Sequence, residues 1–181
     1  LPEYGTDAVA RSATIQPHSQ RSGALRSAPM TAIAPPAICV VTGANSGIGR
    51  ATAIHLAAQG YTVYGTVRSL DKATKLQAMA QAAGVEVPLV ELDVADDDSV
   101  RAGFADLFER TGGVVDVLVN NAGVGGNAVA EECTPAMYLD VMNVNLCGAV
   151  RCLQEVLPGM RERRRGAIVN ITSIAGRIAA L

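Results

Sequence analysis

Acidic residues are absent from positions 8–70, and the whole 181-residue chain carries a formal charge of only −2. A balance so close to neutral makes no case for nucleic acid or an anionic membrane surface as partner. No apolar run approaches the roughly 20 residues needed to span a bilayer. The four cysteines, Cys39, Cys133, Cys147 and Cys152, form no Cys-x-x-Cys pair, and neither histidine stands at ligand spacing from them. No metal site is therefore expected. Cys39 falls in a strand that should be buried, and Cys147 and Cys152 fall on a helix. All three are expected to be reduced, core-type thiols in a reducing compartment, which places the protein in the cytoplasm. The length leaves room for one domain.

What the chain has in quantity is glycine at one decisive place. The run Cys39-Val-Val-Thr-Gly-Ala-Asn-Ser-Gly-Ile-Gly-Arg50 reads as a buried strand, a turn opened by Gly43, and a helix beginning near Gly47. The free N–H groups of a first helical turn and the helix dipole favour an anion there. Glycines let a pyrophosphate approach where any Cβ would block it. The pattern is Thr-Gly-x-x-x-Gly-Ile-Gly, with a wider first gap than the Gly-x-Gly-x-x-Gly dinucleotide fingerprint.

Apolar strands and amphipathic helices then alternate. Strands are expected over residues 37–42, 62–67, 88–92, 114–119 and 167–171, and helices over 47–59, 70–83 and 97–111. Gly60, Gly84 and Gly112-Gly113 read as helix stops, and Asp96 or Asp97 as a cap. A further long helical region starts at Thr134-Pro135 and should be kinked by Pro158. This rhythm implies an α/β fold, a doubly wound parallel sheet with right-handed crossovers. Ligands bind such sheets at the C-terminal ends of the strands.

The unusual residues lie at those ends. After the second strand comes Arg68, with no acid until Asp71. An acid there would bond a ribose 2′-hydroxyl, whereas a guanidinium suits a 2′-phosphate. Ser46 could add a hydroxyl donor. NADP(H) is thus expected over NAD(H), the alternative being a solvated surface arginine. Asp93-Val94 follows the third strand, where a carboxylate can accept from an adenine amino group; taken singly, Asp93 reads equally as a helix-approach cap. Asn121-Ala122-Gly123 follows the fourth strand, where small residues permit close backbone approach and Asn amides satisfy strand-end groups. Asn145 interrupts the apolar face of the long helix, and Ser173 follows the fifth strand. Each of these two, alone, reads as an ordinary structural polar residue.

Together, Thr42–Gly49, Leu92-Asp-Val94, Asn120-Asn-Ala-Gly123, Asn143-Val-Asn-Leu-Cys-Gly148 and Ile168-Val-Asn-Ile-Thr-Ser173 resemble the classical short-chain dehydrogenase/reductase family in order and spacing. The finer pattern is similar to NADP-using 17β-hydroxysteroid and retinol dehydrogenases. The resemblance implies a Rossmann-like sheet and hydride transfer between NADP(H) and an alcohol or ketone. It implies that Gly43, Asn45, Ser46, Gly47, Ile48 and Gly49 cradle the pyrophosphate and nearby groups. Arg68, Asp93, Val94, Asn121, Ala122 and Gly123 would complete the cofactor site. Ser173 would bond the substrate oxygen, and Asn145 would hold a water in the proton path. It also implies a homodimer or homotetramer. The family's general acid/base is a Tyr-x-x-x-Lys pair, and no tyrosine in this chain has a lysine four residues on. The chain is therefore expected to be a fragment, incomplete at its C-terminus and inactive alone, or else a non-catalytic dinucleotide-binding module. Residues 1–36, rich in Ser, Arg, Ala and Pro, are expected to be a disordered or non-native leader, with an organelle transit segment as the alternative. Residues 37–181 then form the N-terminal part of one dinucleotide-binding domain.

Overall fold

A computed structural model describes residues 32–125 and 129–173, so the expected leader lies almost wholly outside the described residues. All of the described elements belong to one compact unit that begins at Ile33.

Five strands form the sheet: β1 (Ile38–Val41), β2 (Thr62–Val67), β3 (Leu89–Glu91), β4 (Val117–Asn120) and β5 (Ala167–Asn170). They are parallel throughout, in the order β3-β2-β1-β4-β5. The chain steps outward from β1 to β3, then crosses back to lay β4 on the other side of β1. That reversal opens a crevice above β1 and β4, the place where such sheets bind ligands.

Among the described residues, five α-helices accompany the sheet: α1 (Gly47–Ala58), α2 (Thr74–Ala82), α3 (Asp97–Thr111), α4 (Pro135–Met142) and α5 (Gly148–Glu162). The alternating side chains of the strands feed two cores. On one face Val41, Val63 and Val119 pack with Ala53 of α1 and Leu76 and Ala80 of α2. On the other, Val40, Val90 and Leu118 pack with Val100, Phe104 and Leu107 of α3 and Cys152 and Val156 of α5. Sheet strands buried on both faces read as the near-continuous apolar runs seen in the sequence.

Several local signals operate as expected. Asp96 caps α3 by accepting from the Ser99 N–H at 2.7 Å. Thr134 caps α4, with Pro135 at its first position. The chain stops helices at Gly60, Gly84 and Gly112 with φ of +87°, +70° and +63°.

Other expectations are corrected. The helix expected over 70–83 is broken: a 3₁₀ turn at Leu70–Lys72 precedes α2. The break falls at fully buried Ala73, where the chain turns to bring Leu76 and Ala80 down onto the sheet. β4 begins three residues later than expected, because Val114 still closes the turn out of α3 through a bond to the Thr111 carbonyl. Helix α5 runs through Pro158 without interruption. Pro158 and Gln154, whose carbonyl loses its donor, both lie on the exposed side, where water can serve that carbonyl. The long helical region also holds a widened π-helical turn at Asn143–Cys147, a feature with no periodic signature.

The thiols divide. Cys39 and Cys152 are buried, but Cys147 is exposed, contrary to the expectation of a core residue. Leu139, Met142, Leu146 and Val150 also stand substantially exposed on α4, the π turn and α5, as do Val169 and Ile171 at β5. Among the described residues, no helix is long and apolar enough to cross a membrane.

Candidate functional site

The centre of the site is a joint between two loops. Thr42, only 1% exposed, directly follows β1. Its hydroxyl accepts from the backbone N–H groups of Asn121 and Ala122, each at 3.0 Å. The Asn121 side chain returns the contact, donating from Nδ2 to the Thr42 carbonyl at 2.8 Å and the Gly43 carbonyl at 3.3 Å. Gly43 has φ +65°, and a Cβ there would lie 2.9 Å from the Ala122 Cα. Ala44 N–H bonds the Thr66 carbonyl of β2 at 2.9 Å. The glycine turn and the loop after β4 are thereby interlocked, and the glycines are needed for that approach.

Helix α1 leaves this joint pointing its N-terminus outward. The N–H groups of Gly47, Ile48 and Gly49 have no partner within the helix by its geometry. Ser46 is the N-cap residue, but its hydroxyl makes no cap bond. Gly47 has φ +52° and open space where a Cβ would be. Ile48 is 63% exposed. The first turn of α1 carries no acid, and Arg50 donates to the Asn45 carbonyl at 3.0 Å. The Asn45 Oδ1 is buried without a hydrogen-bond partner. Unpaired N–H groups, a Cβ-free opening and an orphaned polar atom fit a diphosphate. Gly49 instead faces inward: an added Cβ would meet the Asn121 amide and lie 2.5 Å from the Gly43 carbonyl.

The other strand ends flank this cradle. Arg68 is exposed directly after β2. Asp93 follows β3, where its Oδ1 accepts the Ala95 N–H at 3.0 Å and its own N–H donates to Ser99 Oγ at 2.8 Å. Val94 is buried beside it. After β4, Gly123 packs against Asn145, and a Cβ would lie 3.3 Å from its Oδ1. Asn145 clamps the next residue, accepting the Val124 N–H at 2.8 Å and donating to the Val124 carbonyl at 2.9 Å. Its side-chain amide is thus committed to holding the loop. Beyond Gly123, Val124 and Val129 are exposed, and residues 126–128 lie outside the described residues.

A cavity of about 260 Å³ opens between the loop after β4, the π turn and β5, reached by Thr42, Asn120, Asn145, Asn170 and Thr172. At its floor the Asn120 Nδ2 donates to Asn170 Oδ1 at 2.9 Å, tying β4 to β5, while the Asn120 Oδ1 is buried and unpartnered. Ser173, exposed, follows Thr172 at this same C-terminal rim. No tyrosine or lysine lines the cavity among the described residues; Tyr138 is on α4 and 56% exposed.

The structure therefore brings Gly43, Gly49, Asn121, Ala122, Gly123 and Asn145 into one bonded or packed group, with Arg68, Asp93 and Ser173 on neighbouring strand ends. Thr42, Asn120 and Asn170 join the site without having been singled out in the sequence. The signal for Thr42 was its place before the first turn glycine, and for Asn120 the doubling with Asn121.

Comparison with known proteins agrees with this architecture. The family described as short chain dehydrogenase matches residues 37–180. The chain is 40% identical over 138 residues to 3-oxoacyl-[acyl-carrier-protein] reductase FabG of Staphylococcus epidermidis, covering 76% of this chain and 56% of that one. It is 41% identical over 147 residues to human retinol dehydrogenase 8, covering 79% and 46%. Among solved structures, actinorhodin polyketide ketoreductase with NADPH superposes with a TM-score of 0.74 at 37% identity, covering 80% of this chain and 56% of that one. The chain spans about half the length of the curated relatives it matches. Its parallel sheet and a family match over nearly the whole described unit place it in one family: the chain belongs to the short-chain dehydrogenases.

Proposed function

We propose that this chain supplies the cofactor half of an oxidoreductase that moves a hydride between NADP(H) and an alcohol or ketone. The observation that carries the reading is the α1 N-terminus, opened by Gly47 and locked to the loop after β4 through Thr42 and Asn121. Gly43, Asn45, Ser46, Gly47, Ile48 and Gly49 would hold the pyrophosphate. Asp93 and Val94 would meet the adenine, and Asn121, Ala122 and Gly123 the adenosine side. When bound, the nicotinamide gives or takes the hydride.

Arg68 would meet a 2′-phosphate with a forked donor. The relative solved with NADPH supports that assignment, as does the absence of an acid directly after β2. Ser173 would donate to the substrate oxygen and stabilise charge developing there. Asn145 would keep the loop after β4 at its height above the sheet, beside any proton path through the cavity. An acyl-carrier-bound 3-oxo group and retinol, the substrates that the names of two relatives give, share a carbonyl or carbinol carbon, and the proposed substrate is an alcohol or ketone.

The chain contains no Tyr-x-x-x-Lys pair. General acid/base catalysis supplies about 10²–10⁴-fold, so this chain alone would bind NADPH without turning over. The exposed row on α4 and α5 would pair with a symmetry mate in a dimer or tetramer. A cytoplasmic location and a leader or non-native segment over residues 1–36 complete the proposal.

Titration of the purified chain with NADPH and NADH, followed by nicotinamide fluorescence, tests it. NADPH is expected to bind about tenfold more tightly than NADH, the scale of one charge-assisted contact at an exposed site. Arg68→Asp is expected to abolish that preference. Failure to bind either dinucleotide would overturn the cofactor reading. An unchanged ratio in Arg68→Asp would overturn the assignment of the 2′-phosphate. Carbonyl reduction by the chain alone would contradict its inactivity. Binding by the complete protein without turnover on any carbonyl would favour a non-catalytic dinucleotide-binding module.

A further inference from the structure

The loop after β3, which lends Val94 to the wall of the cavity, is gripped by a network of its own. Arg151 lies in the first turn of α5 with its side chain only 20% exposed. Its Nη1 donates to the Val94 carbonyl at 3.1 Å and to the Asn143 carbonyl at 3.2 Å. Its Nη2 donates to the Asn143 Oδ1 at 2.9 Å, and its Nε pairs with Asp97 at the start of α3. Asn143 completes the ring by donating from Nδ2 to the Ala95 carbonyl at 3.1 Å. Two successive carbonyls of the loop are therefore held by the π turn and α5. A third contact is steric. Gly148 lies flat on Val94, where an added Cβ would come 2.9 Å from the valine Cβ.

This is more fixation than a helix-to-loop packing contact requires. Leu92 and Val94 carry the loop's share of the core, and Asp93 is held from the other side by Ala95 and Ser99. A planar, always-charged fork anchored at three places fixes orientation as well as distance. The rigid side of this arrangement is the α5 block. The fixed side is the peptide run Asp93–Ala95.

We propose that Arg151 and Asn143 are positioning residues for the adenine wall: they set the height and tilt of Asp93–Ala95, so that selection for the adenine ring depends on them. The inference rests on the dinucleotide reading above. Both would act through the Val94 and Ala95 carbonyls that they hold.

The test compares NADPH with its hypoxanthine analogue, in which the exocyclic amino group is replaced by an oxygen. Both are titrated into the full chain and into Arg151→Met, Arg151→Lys and Asn143→Leu, at a temperature below the unfolding of every variant. NADH is titrated alongside as a probe of the distant Arg68 end. The unsubstituted chain is expected to favour NADPH over the analogue several-fold. Arg151→Met and Asn143→Leu are expected to bring that ratio close to one, with about a tenfold loss of NADPH affinity, the scale of a lost charge-assisted bond. Arg151→Lys restores charge without the fork, so it is expected to recover only part of the ratio. The NADPH-to-NADH ratio should stay as in the unsubstituted chain.

A merely structural strut would weaken all three ligands by the same factor, and that result overturns the proposal. So does an unsubstituted chain that binds NADPH with no adenine preference, or an Arg151→Met variant that keeps the preference. If Arg151→Met fails to fold, Asn143→Leu decides by the same ratio, and if neither folds the pair is structural and the proposal fails. Absence of any dinucleotide binding by the unsubstituted chain is a different outcome, because it removes the cofactor reading itself.

Discussion

A methyl group at position 49 has no space to enter. In Gly49→Ala the new carbon would meet the Asn121 amide nitrogen and stand 2.5 Å from the Gly43 carbonyl oxygen. The backbone oxygen cannot retreat without moving the glycine turn, so Asn121 must give way. Its retreat breaks bonds of 2.8 and 3.3 Å to the Thr42 and Gly43 carbonyls. Overpacking of this kind costs about 1–3 kcal/mol, and each lost hydrogen bond about 1 kcal/mol. Some relaxation will overlap the two, so a net loss of about 2–4 kcal/mol is expected. That is a large part of the roughly 5–15 kcal/mol that holds a domain folded. The comparison is Gly47→Ala, where nothing lies within 4 Å and only the φ of +52° is strained; its cost should be about 1–2 kcal/mol. Urea unfolding of the two variants and the parent, followed by far-UV circular dichroism, measures both. If Gly49→Ala proved as stable as the parent, or less damaged than Gly47→Ala, the close packing of helix against loop would not be what the glycine is for.

Other expectations follow from the same geometry. Thr42→Val removes a buried hydroxyl that accepts from two backbone N–H groups, and is expected to cost about 2–4 kcal/mol; Thr42→Ser should restore most of it, and equal urea midpoints for the two variants would refute the role. Burial pushes the thiols of Cys39 and Cys152 from 9.0 to about 11 and about 12. The folded state keeps those protons longer than the unfolded chain, so their contribution is intact below about pH 8.5 and is lost as pH rises through the folded values, at up to about 1.4 kcal/mol per pH unit for each thiol. Denaturant midpoints from pH 8 to 10.5 should fall, and Cys152→Ala should flatten the fall; an equal slope in that variant would refute it. At pH 8 a disulfide reagent should modify exposed Cys147 in the folded protein and reach Cys39 and Cys152 only on unfolding, as mass mapping of the labelled peptides would show. Val169→Lys, placed on a strand-edge residue 44% exposed, is expected to reduce aggregation in light scattering with little change in stability; increased scattering would mean that this surface is covered in solution.

The sequence disclosed most where a backbone demand restricts the residue. β2 and α3 occupy the expected residues, because one is a β-branched run between turn signals and the other has a cap, acidic first turn and glycine stop. The doubly wound sheet followed from the alternation of such elements. The glycine turn was visible because φ above zero and close approach admit few other residues. Thr42 was not, since a threonine ending a strand looks like any β-branched residue until its partner loop, about 80 positions on, is folded against it. The break at Ala73 depended on tertiary burial, and the passage of α5 through Pro158 on which side met water. Exposure of Leu146 and Val150 could not be read from periodicity, which marks an apolar face but not whether the described residues cover it. The ring around Arg151 joins residues up to 57 positions apart, and no local pattern encodes such a contact.

The widened turn at Asn143–Cys147 has a consequence for angular phase. An α-helix advances about 100° per residue, so residues eight apart would point about 80° away from each other. One extra residue absorbed in the turn cancels most of that offset, and Asn143 comes to stand over Arg151 as a seventh neighbour ordinarily would. Winding these same residues as an ordinary α-helix, with none removed, would swing α4 about a quarter of the way round relative to α5. The helix would become more regular while the asparagine and the arginine lost sight of one another.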